Sequence, residues 1–205
     1  MDAADSVTAA TPDGKTRLLA VERPEHVLTE LAAFLNDAAG AHGWAQQGVP
    51  VVLARLQEVT GRLPRNPENP DPGMYMGIGD PNLPTSATYQ SWKLSRLPVA
   101  LAEDGLVITW IGRQWVVGVF TGWEHEYRPR LATAYGCDEG ALTHNVLGDL
   151  RHMRNDVVHH HGVATAANTG RCRTLRWCNV GDEIMVRSPE VADFMRQFPY
   201  DLKPA

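Results

Sequence analysis

The side chains able to do chemistry crowd into residues 148–162, GDLRHMRNDVVHHHG, which hold Arg151, Arg154, the neighbours Asn155 and Asp156, and the histidines His152, His159, His160 and His161. An imidazole, with an ordinary pKa of about 6.5, takes up or gives out a proton near neutrality. A guanidinium forks onto phosphate oxygens and keeps its charge throughout. Cleavage of an RNA phosphodiester needs such groups: one to take the 2′-OH proton, one to protonate the departing 5′-oxygen, and a cation on the non-bridging oxygens. Two other chemistries fit less well. Metal binding by His159, His160 and His161 with His152 or a cysteine is disfavoured, because consecutive helical residues splay apart and no His-x(3)-His pair with a carboxylate motif is present. A Cys-His nucleophile built on Cys137, Cys172 or Cys178 has nothing in the sequence to orient it. The reading carried forward invokes no metal and no cofactor.

These residues need a helix to hold them. At about 100° per residue, Leu147, Leu150, Met153 and Val157 fall on one face, with Leu142, Val146 and Val158 at its margins. That stripe is core. The opposite side carries Arg151, Arg154, Asn155, Asp156 and the histidines, and Gly162 ends the helix at a C′ position. The plainest reading is an amphipathic helix whose basic end complements its macrodipole, but the local pattern is more specific. Arg154-Asn155-Asp156-Val157-Val158-His159 resembles the Arg-x(4–6)-His signature of HEPN-domain proteins in its R-N-x-x-x-H form. The wider run L-R-x-x-R-N-D-V-V-H-x-x-G strengthens the likeness, which covers roughly residues 142–163. The resemblance implies a helical bundle and a metal-independent endoribonuclease cutting single-stranded RNA, of the sort found in bacterial toxin or phage-defence systems, with an antitoxin protein as a candidate partner. It implies His159 as general base or acid, Arg154 as phosphate anchor and Asn155 as the residue holding geometry or substrate, with Arg151, Asp156 and His161 as candidate support.

His159 lies five residues beyond Arg154, about 140° round an ideal helix, so the pair diverges on a straight helix. Asn155 and His159, at i and i+4, share a face. Convergence of Arg154 with His159 therefore calls for a distorted last turn or a site composed across a two-fold homodimer, as HEPN proteins often have. His161 repeats the Arg154 face at i+7 and is the reserve histidine. Arg151 is either a second phosphate contact or half of a surface ion pair with Asp149, and Arg173 and Arg176 either extend an RNA path or are solvated hairpin charges. The competing function is a non-catalytic module, HEPN-like, that binds nucleotide or RNA or serves as a dimerising scaffold. Cleavage of RNA in EDTA separates the two.

The net charge of −5 argues against a protein that coats nucleic acid indiscriminately. Between residues 151 and 176, however, five arginines face the single acid Asp156, so a local basic site survives. The three cysteines are odd in number and form no CxxC pair, which suits reduced thiols. The N-terminus lacks a basic segment followed by an apolar one, so no export signal is read and a cytoplasmic location is expected.

The expected architecture is mostly α: a HEPN-like helical bundle over 86–205 with a small C-terminal β-hairpin, preceded by a helical N-terminal segment at 24–63. Residues 1–23 are weakly patterned and the first fifteen or so fray. Apolar periodicity predicts helices over 25–40 and 49–63, the second with Pro50 near its start. Residues 64–85 hold six prolines and three glycines and read as a long loop, although Tyr75 and Met76 suggest that it packs. Residues 87–97 suit helix or exposed strand, until Pro98 interrupts. From Leu106 to Tyr135 one long buried helix is expected, with Gly112, Gly118 and Gly122 allowing close contacts and Pro129 breaking it near His125; a short strand at 107–110 is the alternative. Arg113 and Gln114 in its middle argue against a membrane span. Trp110, Trp115 and Trp123 are read as core. A tight connection at 136–140 makes the motif helix antiparallel to this one, with its histidines near residues 106–110. Residues 173–178 and 183–187 predict a hairpin anchored by Trp177 and Ile184, and Val191, Phe194, Met195 and Phe198 a closing helix.

Overall fold

In the computed structural model the described residues are 22–62, 66–80 and 83–205, together with a pair of two-residue strands, β1 (Thr8–Ala9) and β2 (Arg17–Leu18). The expectation of a fraying N-terminus falls mostly outside them, as do the side chains of Tyr75 and Met76. Helix α1 (Pro24–Gly61) begins with a proline where the first turn has no amide to lose. Its Val27, Leu31 and Leu35 are buried in the same core as the helices downstream. The sequence divides this region into two helices; the structure has one. Gly40, Gly43, Gly48 and Pro50 weaken the local helix signal, but tertiary contacts clamp it. His42 Nε2 and Gln46 Nε2 reach the Val186 carbonyl at 3.2 and 3.1 Å, and Gln46 Oε1 accepts from the Ser188 amide at 3.1 Å. Pro50 is exposed, so solvent can take up the carbonyl its ring leaves unpaired.

Strands β3 (Gly73–Ile78) and β4 (Ala87–Lys93) pair antiparallel, Gly73 opposite Lys93 and Ile78 opposite Ala87, with a register shift between Met76 and Gly77. In this small sheet β3 lies in the region read as a loop, whereas β4 lies in residues 87–97, for which strand is one of the two readings. Pro70, Pro72 and Pro84 flank the strands without entering them, so no ladder amide is lost. A short helix α2 (Leu97–Ala100) takes Pro98 in its first turn. Then α3 (Leu106–Gly122) passes through a π-helical turn, Trp123–Tyr127, into α4 (Arg128–Tyr135). The expected break near His125 is this widened turn, which absorbs the amide missing at Pro129. Gly112 lies against the Val186 backbone and Gly122 against Phe34, where a Cβ would collide; Gly118 meets nothing and is not needed for packing. Trp115 and Trp123 are core, but Trp110 is 61% exposed.

Helix α5 (Asn145–His159) packs along α3, and α6 (Ser188–Gln197) packs on α1. Around them Val116, Leu131, Leu150, Met153, Leu175, Ile184 and Phe194 form the core. The hairpin expected at 173–178 and 183–187 does not form. Its first three amides, from Arg173, Thr174 and Leu175, are donated to the Asp149 carboxylate, and the Asn179 amide to Asp182, so no ladder remains to be built. An isolated bridge between Val163 and Glu183 stands in this segment. The described chain is mostly helical, and none of its helices is long and apolar enough to cross a membrane.

Candidate functional site: the polar face of α5

His144 caps α5, its Nδ1 accepting from the Val146 amide at 3.3 Å. The helix stays regular to His159, and the His160 and Gly162 amides both close on the Asp156 carbonyl at 3.0 Å. Chain reversal uses two left-handed residues, His161 at φ 55° and Gly162 at φ 75°, so the helix stops one residue earlier than Gly162 alone suggests. Arg113 of α3 fixes this exit. Its guanidinium donates to the carbonyls of His161, Gly162 and Ile184 at 3.1, 3.2 and 3.1 Å, and a Cβ at Gly162 would collide with it. The histidine end of α5 thus sits beside Arg113, in the middle of α3, whereas the short 136–140 connection predicts a place beside residues 106–110. Sequence reasoning used Arg113 against a membrane span and missed this role.

Leu147, Leu150 and Met153 are buried as the periodicity requires. Asp156 departs from its expected place. It is fully buried, and its carboxylate accepts from the Thr165 amide and hydroxyl, the Asn168 side chain and the Thr169 amide at 2.8 to 3.0 Å. Burial alone would raise its pKa, but these donors outweigh it and hold the carboxyl well below the usual range. Asp156 therefore anchors the loop after α5 and is not free to act on a substrate. Asp149, one heptad earlier, is buried on the amides of Arg173, Thr174 and Leu175, which removes it as a partner for Arg151. Two acids seven residues apart on a cationic helix, followed by the loop VATAANTGR, were the available signal for this pinning.

The remaining motif residues stay on the outside. Arg154 Nη1 donates to Asn155 Oδ1 at 3.3 Å, while Arg154 Nε is buried without a partner. The guanidinium thus wraps towards Asn155, one turn below the exposed His159. The last turn is not distorted, so on α5 alone the two positions keep the divergence expected of a straight helix. His160 and His161 are exposed, as are Arg151, Arg173 and Arg176. Among the described residues, no acid pairs with Arg151, Arg154, Arg171, Arg173 or Arg176.

A polar cleft of ≈ 530 Å³ opens beside the first turns of α5, lined by His144, Asn145, Gly148, His152, Arg171 and Arg173. A larger groove of ≈ 1050 Å³, lined by Trp92, Pro98, Val99 and Leu106 among others, is mostly apolar and holds no histidine. Glu22, His26 and Glu30 bring a ligand atom each within 4.8 Å of one another, but Arg130 already bridges both carboxylates, so this cluster ties the start of α1 to α4. Burial pushes the Cys172 thiol up to about 12 and that of Cys178 to about 11, which removes both as ready nucleophiles. Comparison of the chain with family models, curated proteins and solved structures finds no match.

Proposed function

We propose that the chain is a metal-independent endoribonuclease of HEPN type, cutting single-stranded RNA by attack of the 2′-OH on the adjacent phosphate. One observation supports this reading: Arg154 has no acid partner among the described residues and bonds to Asn155, which lies one turn before the exposed His159 on the same helix. In this reading Arg154 holds the non-bridging oxygens, His159 moves the proton, Asn155 orients the guanidinium, and Arg151, Arg173 and Arg176 meet flanking phosphates. A homodimer through α3 and α5 supplies a second histidine for the leaving oxygen. Its support is the apolar surface left open there, with Leu106 60%, Trp110 61% and Val158 47% exposed. A toxin or phage-defence effector, with an antitoxin partner, is the matching biological role.

The same open surface favours a second reading, a dimerising or RNA-binding module without catalysis. Purified protein incubated with single-stranded RNA in EDTA decides between them. The expected result is cleavage leaving 2′,3′-cyclic phosphate ends, lost on His159→Ala. Cleavage only with added metal overturns the mechanism, and binding without cleavage moves the protein to the second reading.

A further inference from the structure

Gly148, His152, Asn155 and His159 recur at i, i+4, i+7 and i+11, so one polar face runs the length of α5. At its N-terminal end this face opens into the cleft shared with Arg171 and Arg173. Both arginines are exposed and pair with no acid among the described residues. The acid that borders the cleft, Asp149, has its oxygens turned to the amides of Arg173, Thr174 and Leu175, so its charge is satisfied inside the protein. His152 Nδ1 is buried without a partner, which leaves Nε2 as the ring nitrogen on the open side. Gly148 leaves the wall bare: a Cβ there meets nothing within 4 Å. The positive end of the helix dipole adds to the two guanidinium groups.

We infer that this cleft is a phosphate-binding subsite that holds a backbone phosphodiester of single-stranded RNA away from the cutting point and seats the strand along α5. Arg171 and Arg173 grip the oxygens by their forks, and the imidazoles of His144 and His152 donate from the helix side. Gly148 lies about 16 Å along the axis from His159, a span of a few nucleotides. RNA as the ligand rests on the ribonuclease reading, because only a chain of phosphates serves both ends of one face. The affinity of the cleft for phosphate stands without it.

The test uses the full chain carrying His159→Ala, so that RNA survives. In a titration with inorganic phosphate followed by NMR, the ring signals of His144 and His152 shift while those of His26 and His125 do not. In fluorescence anisotropy with single-stranded RNA, the double variant Arg171→Ala/Arg173→Ala binds about tenfold more weakly, and its log Kd depends less steeply on log salt, by roughly 0.7 for each phosphate that is no longer neutralised. Gly148→Glu, which the open helix surface accommodates, weakens binding in the same way with an unchanged melting temperature. The subsite is overturned if phosphate moves neither ring, if RNA affinity is indifferent to both variants, or if the His159→Ala protein binds no RNA. Cleavage is scored separately with His159 in place. RNA held through the cleft but never cut removes the ribonuclease reading and leaves the subsite standing, whereas RNA cut with affinity unchanged in both variants does the reverse.

Discussion

The two edges of α5 treat charge in opposite ways. On one edge Asp149 and Asp156 are buried, and each carboxylate is occupied by amides of the chain that follows the helix. On the other, Arg151 and Arg154 have no acid to meet, and neither do Arg171, Arg173 and Arg176 nearby, among the described residues. Several other arginines are paired: Arg130 with Glu22, Glu30 and Glu126, Arg128 with Glu124, and Arg113 with Glu183. A net charge of −5 hides this division. The acids near the motif are occupied in holding loops, and the cations are left idle, which is the condition in which they attract phosphate.

The sharpest break in that comparison comes from the idle edge. His159→Ala and Arg154→Ala are each expected to lower RNA cleavage by about 10²–10⁴-fold, the range for losing a proton-transfer or charge-stabilising group. His159 makes no side-chain hydrogen bond among the described residues and is exposed, so its removal leaves the circular dichroism melt unchanged. Arg154→Lys separates charge from the fork: it retains folding and still loses most activity. Cleavage near the wild-type rate in either alanine variant would sink the assignment.

On the buried edge the loss is in stability. Asp156→Asn places an amide among donors that need an acceptor and is expected to cost about 3 kcal/mol, or about 10 °C in Tm for a chain of this size. The pH dependence has a definite sign. The folded carboxyl is held below its unfolded value of about 3.9, so its contribution is complete above that value and is lost only as pH falls through the folded pKa. Urea titrations should show a gap between wild type and variant that is constant from about pH 7 to 5 and narrows in stronger acid. A gap that closes near pH 6 would assign the effect to another group. Arg113→Ala removes three bonds to carbonyls at the exit of α5 and should cost about 2 kcal/mol, loosening the histidine end with less effect on the Asp156 loop.

What was legible in the sequence follows the same division between local and distant causes. The core face of α5 and the break near Pro129 follow from periodicity and from one proline. The continuous α1 was not legible, because Gly40, Gly43, Gly48 and Pro50 point to a break, and the contacts of His42 and Gln46 with residues 186–188 lie far along the chain. The C-terminal hairpin failed for a related reason: alternating residues at 173–178 suit a strand, but Asp149 takes their amides first. Proline content concealed the strand Gly73–Ile78, since counting prolines does not say that they stand outside it. At the site, the types and spacing of Arg154, Asn155 and His159 were visible. That Asp156 would be consumed by its own loop was signalled only by its heptad spacing from Asp149 and the polar loop that follows, since its partners Thr165, Asn168 and Thr169 lie beyond the helix.

The smallest expected effect tests which histidine belongs to the idle edge. His161 holds φ 55°, a left-handed conformation that a residue with a Cβ adopts at a cost of about 1 kcal/mol and glycine adopts freely. Its carbonyl is fixed by Arg113, an interaction that does not depend on its side chain. His161→Gly should therefore raise stability by at most about 1 kcal/mol, because the greater freedom of glycine in the unfolded chain offsets part of the relief. Cleavage should be unchanged, since on this reading the exposed ring serves neither the helix exit nor the chemistry. Loss of cleavage in this variant, with His159→Ala still active, would move the proton-transfer role to His161 and require the substrate to approach from the α3 side of the helix exit. A fall in stability would show instead that the imidazole makes an interaction that holds the turn.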